Sequence, residues 1–143
     1  MPTIGAVHRA PNTDFGSFNQ NYSKLLSALS LKKNKCCITG DFNTNLLNYE
    51  MHSETALFLN EAFSQNLYPV ITRPTRFSSS ATLIDNIFVT SLIGNYLSCI
   101  FVNDISYHLP VFYIAQDKIT VAFQTTLLKL IGILMMMLSH HLP

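Results

Sequence analysis

An acid and an amide stand two residues apart in Gly40-Asp41-Phe42-Asn43, directly after the short apolar run Cys36-Cys37-Ile38-Thr39. A run of that kind reads as a buried strand, and the glycine reads as a tight turn at its end. In such a turn Asp41 could hold and deprotonate a water while Asn43 donates to a phosphoryl oxygen. Two later stretches add to the pair. Leu83-Ile84-Asp85-Asn86-Ile87-Phe88-Val89 places an acid mid-strand in an apolar run, and Ser106-Tyr107-His108-Leu109-Pro110-Val111 supplies a histidine. An acid among Leu83, Ile84, Ile87 and Phe88 needs a buried partner or an open cleft. His108 can be that partner, because a buried acid orients an imidazole and favours its charged form.

These four side chains match the needs of phosphodiester hydrolysis. A water must be deprotonated and aimed, and the charge growing on the phosphoryl oxygens must be neutralised. Asp41 serves the first need, and Asn43 and an imidazolium at His108 serve the second. Each residue also has a plain structural role. Asp41 and Asn43 are turn formers, and His108 before Leu-Pro suits a surface turn. The chemical reading rests on the three stretches together.

The elements that must position them follow from periodicity. Ile4 to His8 reads as a strand, and Asn12 or Asp14 is placed to cap a helix. Phe15, Phe18, Tyr22, Leu25, Leu26 and Leu29 give that helix one apolar stripe of about four turns. Lys32-Lys33-Asn34-Lys35 is a basic turn. A second helix from Ser53 to about Asn66 carries Leu57, Phe58, Glu61, Ala62 and Phe63. Pro74 keeps Thr72-Arg73-Pro74-Thr75-Arg76 out of a central strand, so it reads as an extended basic loop continued by Ser78-Ser79-Ser80. Strands are expected over Leu83–Thr90, Leu97–Val102 and Leu109–Ala115. Helices alternate with strands early and strands cluster late, which predicts an α/β layered fold with a mixed sheet.

Composition bounds these readings. The 143 residues are 48% hydrophobic and 12% charged, which suits one small domain with a real core. A net charge of +1 makes no general case for nucleic acid or membrane. Cys36 and Cys37, adjacent on a strand, point to opposite faces and do not pair. With Cys99 they read as small buried hydrophobes in a reducing compartment, and no secretory signal is seen, so an intracellular location is expected. From Ile119 to Leu138 the chain is strongly apolar, with Lys129 its one charge. A membrane span needs about 20 apolar residues. Gln124, Thr125, Thr126 and Lys129 break the stretch, so a helix packed on the sheet is expected instead.

In order, the three stretches resemble the last three motifs of the endonuclease/exonuclease/phosphatase superfamily, and most of all the endonuclease domain of non-LTR (LINE-type) retrotransposons. His8-Arg9-Ala10-Pro11-Asn12 is similar to that family's Tyr-Arg-Pro-Pro-Asn segment. Thr72-Arg73-Pro74-Thr75-Arg76, with the serine run and Thr82-Leu83-Ile84-Asp85, is similar to the retrotransposon subgroup. The resemblance covers residues 4 to 118. It divides the chain into a domain at 1–118, the C-terminal half of the family's domain, and a divergent apolar tail at 119–143, read as helical. It implies a partial four-layer α/β sandwich, a divalent metal (usually magnesium) and DNA as partner. Asp41 and Asn43 match the water-activating and phosphate-binding pair. Asp85 matches the acid that orients the catalytic histidine, His108. By the same resemblance His8, Arg73, Thr75 and Arg76 fall at substrate-binding positions.

Three departures from the family pattern bear on activity. Tyr107 stands where the family has a metal-site aspartate, and a phenol is no hard anionic ligand near neutral pH. His8 replaces a tyrosine. The family's first half, with its main metal-binding glutamate, is missing, so no metal ligand is assigned. The expectation is an endonuclease fragment impaired on its own, against a non-enzymatic remnant that binds nucleic acid or a partner. The sheet face of Ile38, Ile84 and Phe112 is expected to be open, to self-association or to the tail.

Overall fold

Asp14 starts the first helix, its Oδ2 accepting from the Ser17 N–H at 2.7 Å. That bond, at a helix N-terminus, holds the Asp14 carboxyl below its ordinary value. In the computed structural model, which describes residues 3–30, 35–90 and 95–116, this helix (α1, Phe15–Ser30) joins strand β1 (Thr3–His8) to strand β2 (Cys36–Asp41). The two strands are parallel, so they need a crossover, and α1 supplies it. Helix α2 (Ser53–Ser64) follows a single 3-10 turn at Leu46–Asn48. Short strands β3 (Tyr68–Pro69), β4 (Arg76–Phe77) and β5 (Ala81–Thr82) precede β6 (Asp85–Val89). The chain then forms a hairpin of β7 (Asn95–Ile100) and β8 (Val111–Gln116). The main sheet has the order β1-β2-β6-β3 and is mixed, as the sequence predicts.

Helices cover one face of this sheet. Tyr22 and Leu26 of α1 and Phe58, Leu59 and Ala62 of α2 are buried with Ile38 and Phe88 of the sheet. The aromatic rings interlock: Phe42 lies 5.3 Å from Phe58 and 5.2 Å from Phe88, and Tyr22 4.9 Å from Phe58. The α1 stripe faces the core at Phe15, Phe18, Tyr22, Leu26 and Leu29, and the expected stripe of α2 is turned. Leu25 is exposed, and on α2 the inward residues are Thr55, Phe58, Leu59 and Ala62, while Leu57 and Phe63 face solvent. Helix α2 stops at Ser64, two residues early, because Asn66 takes φ 56 and Leu67 N–H returns to the Ala62 carbonyl at 3.0 Å.

The other face carries the β7–β8 hairpin, whose Ile100, Val111 and Tyr113 pack on the core. Ile38, under the helices, and Ile84 are buried and Phe112 is half-buried, so these three do not form one open face. On these strands Ile4, Leu97 and Ile114 are exposed. The three cysteines are free. Cys36 is buried, and burial pushes the half-buried Cys37 thiol up to about 11. Cys99 is exposed, contrary to the expectation for all three, because it lies on the outward side of β7. No helix among the described residues is long and apolar enough to cross a membrane. Lys32 to Asn34 and the tail from Ile119 lie outside the described residues.

Candidate active site

Gly40 does not make the turn expected of it. It continues β2, opposite Val7, where a Cβ would sit 1.7 Å from the Val7 carbonyl oxygen. The position needs glycine for that close approach. The turn comes at Asn43, whose φ of 45 is left-handed, a region asparagine tolerates better than most residues. Phe42, between the two motif residues, is fully buried and anchors the turn in the aromatic core.

This turn uses much of its own polar capacity. Asp41 Oδ1 accepts from the Asn43 N–H at 2.9 Å, and Asn43 Nδ2 donates to the Arg9 carbonyl at 2.6 Å. The Arg9 guanidinium donates from Nε to Phe42 O at 2.9 Å, from Nη1 to Thr13 O at 3.1 Å, and from Nη2 to Asn43 O. It lies 5.8 Å from the ring centres of both Phe15 and Phe18, within cation–π range. Arg9 thus ties the end of β1, the start of α1 and the Asp41–Asn43 turn together. The sequence reading placed it in a segment but gave it no role.

The strand register sets His8 beside Asp41 and Asp41 beside Asp85, in a row at one end of the sheet. Asp85 is the first residue of β6 and not mid-strand, since the ladder with β2 starts there. Its carboxylate holds two partners. Thr75 Oγ1 donates to Asp85 Oδ2 at 2.8 Å, and His108 Nδ1 lies 3.2 and 3.1 Å from Oδ1 and Oδ2. A carboxylate only accepts, so the Nδ1 proton lies between them. The Asp85 side chain is 15% exposed and His108 40%, so the acid is sheltered and the imidazole is reachable.

Thr75 corrects an expectation. It is fully buried, and its hydroxyl also accepts from the Ile84 and Asp85 N–H groups at 3.3 and 3.1 Å. It positions Asp85 and does not face a substrate. Arg76 pairs with His108 through a backbone bridge, and its Nε is buried without a hydrogen-bond partner among the described residues. Arg73 is exposed, as is His8. Asn86, also unassigned from the sequence, is fully buried and ties Ile71 to the sheet by Nδ2–O and N–Oδ1 bonds of 2.9 and 3.2 Å. Local periodicity carries no signal for Thr75 or Asn86, because their partners are 10 to 15 residues away.

Asp41, Asp85 and His108 line one open pocket of about 280 Å3 with Leu109, Pro110 and Val111. Each offers a ligand atom, and these atoms all lie within 4.8 Å of one another. Two ligands on one magnesium ion lie at most about 4.2 Å apart, so the cluster fits a small divalent cation with slight closure at most. The pairing of two acids in register supports this fit, because like charges directly opposite on a sheet repel. The sequence assigned no metal ligand; the sheet brings three candidates together.

No protein-family model and no curated protein matches the chain. Among solved structures it is similar to the endonuclease domain of TRAS1, a telomere-specific non-LTR retrotransposon, with a TM-score of 0.61 at 15% identity. The chain shares the fold of that endonuclease domain. The match covers 76% of this chain and 53% of the other, so the chain spans about half the length of the domain it matches. At that identity the likeness is one of fold. That fold accounts for the mixed sheet with its two helices.

Proposed function

We propose that this chain carries a phosphodiester-hydrolysing site of the DNA endonuclease kind, slow on its own. The observation that supports this most is the hydrogen-bonded run Thr75–Asp85–His108, which ends beside Asp41 in an open pocket. Asp41 keeps Oδ2 for a water and takes its proton as the water oxygen bonds to phosphorus. His108, fixed through Nδ1, presents Nε2 to a phosphoryl oxygen when protonated. The P–O bond to the leaving oxygen breaks as the new one forms, and that oxygen takes a proton from solvent. Asn43 has one amide hydrogen beyond that given to Arg9. Arg73, which is exposed, can donate to a phosphate further along the strand.

A divalent cation held by Asp41 and Asp85, joined by His108 Nε2 only where that imidazole is neutral and not donating to the phosphate, would neutralise charge on the phosphoryl oxygens. The carboxylates suit magnesium or manganese, and the imidazole suits a softer ion. Tyr107 adds no carboxylate, is 76% exposed and does not line the pocket of the three. A shortfall of about 5 kcal/mol in charge stabilisation would slow cleavage more than about a thousandfold. The three free thiols suit an intracellular setting.

Relaxation of supercoiled plasmid with magnesium or manganese tests the reading. Slow, metal-dependent nicking is expected, reduced about 10²-fold or more by His108→Ala and by Asp85→Asn. Nicking indifferent to both substitutions would overturn it. A non-enzymatic DNA-binding role is the second reading, favoured by how much of the Asp41–Asn43 turn is spent on internal bonds. Salt-dependent duplex binding without any nicking would select it.

A further inference from the structure

Leu109 lines both the pocket at Asp41 and a second, larger groove of about 1130 Å3. The 73–77 segment forms one wall of this groove and the β7–β8 connection the other. Four large side chains stand exposed there: Phe77 at 48%, Val102 at 78%, Ile105 at 76% and Tyr107 at 76%. So much apolar surface in one place marks a binding surface more often than an accident of folding. The backbone ties it to the site. Phe77 N–H donates to Tyr107 O at 3.2 Å, Leu109 N–H to Thr75 O at 2.7 Å, and Arg76 bridges His108. The aromatic residues Phe77 and Tyr107 are therefore sequence neighbours of Arg76 and His108, held on paired backbone.

The charge of the groove narrows its ligand. Arg73 and Asp104 both line it, so it has no net attraction for a bare phosphate. It suits a flat, apolar group with little charge of its own. Beside a phosphodiester site, such a group is a nucleobase. We infer that this groove takes an unpaired DNA base, stacked on Tyr107 and Phe77, from the strand whose phosphate lies at Asp41 and His108. The inference rests on the phosphodiester reading above for the choice of ligand. A base within a duplex has both faces covered by its neighbours, so the groove selects single-stranded or extruded bases. Stacking accepts any base, since each has a π-face.

A single-stranded DNA oligonucleotide carrying one 2-aminopurine, titrated with the full chain in EDTA, tests this. Stacking should quench the probe, and the same probe inside a fully paired duplex should be unaffected. Tyr107→Ala and Phe77→Ala should each weaken binding about tenfold. Tyr107→Phe should bind like the parent chain, because the ring and not the hydroxyl does the stacking. Far-UV circular dichroism on the same samples separates a lost groove from a lost fold. Binding without quenching, or folded alanine variants that bind as tightly as the parent, overturns the inference; so does occupation of the groove by a second copy, read as dimerisation abolished by Tyr107→Ala. The readout needs no cleavage. Quenching without plasmid nicking removes the catalytic reading and keeps the groove, and nicking without quenching does the reverse.

Discussion

The two acids of the pocket, Asp41 and Asp85, sit side by side on paired strands, yet their surroundings are built differently. Asp41 belongs to a turn pinned from below by Phe42 in the aromatic core and from the side by Arg9. The polar atoms of that turn serve mainly to hold its own shape. Asp85 belongs to a run of side chains, Thr75–Asp85–His108, that starts fully buried and ends at a reachable imidazole. The first region is architecture with one carboxylate oxygen to spare. The second is a hydrogen-bonded run that reaches an open pocket. Stability should therefore concentrate in the first region and function in the second.

The largest effect that would break or uphold this contrast is on Phe42. Phe42→Ala should cost about 3–5 kcal/mol, since it empties a fully buried ring site, and urea unfolding measures it. A cost under about 1 kcal/mol would show that the turn is not anchored in the core. Next is Arg9→Ala, expected to cost about 2–3 kcal/mol through the loss of charge-assisted bonds to three carbonyls. Arg9→Lys should recover only part of that, because an ammonium lacks the planar fork.

Thr75→Val sharpens the comparison from the other side. It keeps the shape but removes the hydroxyl that serves Asp85 and two backbone N–H groups, so about 1–2 kcal/mol should be lost. Loss of plasmid nicking beyond the loss of folded protein would place Thr75 in positioning. The smallest stability effect belongs to His108→Ala, within about 0.5 kcal/mol, because the imidazole is part-exposed and its ion pair is screened. A larger loss there would mean that the second region also carries the fold.

Much of this was legible in the residues. The strand at Cys36, the helix from Phe15 with its Asp14 cap, and the mixed sheet follow from apolar spacing and capping chemistry. The pairing of Asp85 with His108 follows from the cost of leaving an acid unpartnered among Leu83, Ile84 and Phe88. What local spacing misread, or left without a role as at Arg9, shares one cause. Gly40, Thr75, Arg9 and the inward face of α2 are decided by groups far away in the chain: Val7 O, Asp85, Phe42 O and the underside of the sheet. Local spacing holds no record of such partners.

The sequence by itself determined which side chains could do chemistry and the order of the elements that carry them, because residue type and periodicity are local properties. Only the tertiary structure decided how each is used. Strand register set Asp41 against Asp85, and a carboxylate in that place repels its neighbour and favours a cation. Folding buried Thr75 beneath Asp85 and left Tyr107 in the open, since hydrogen bonds and burial are settled between residues that meet only when the chain is folded.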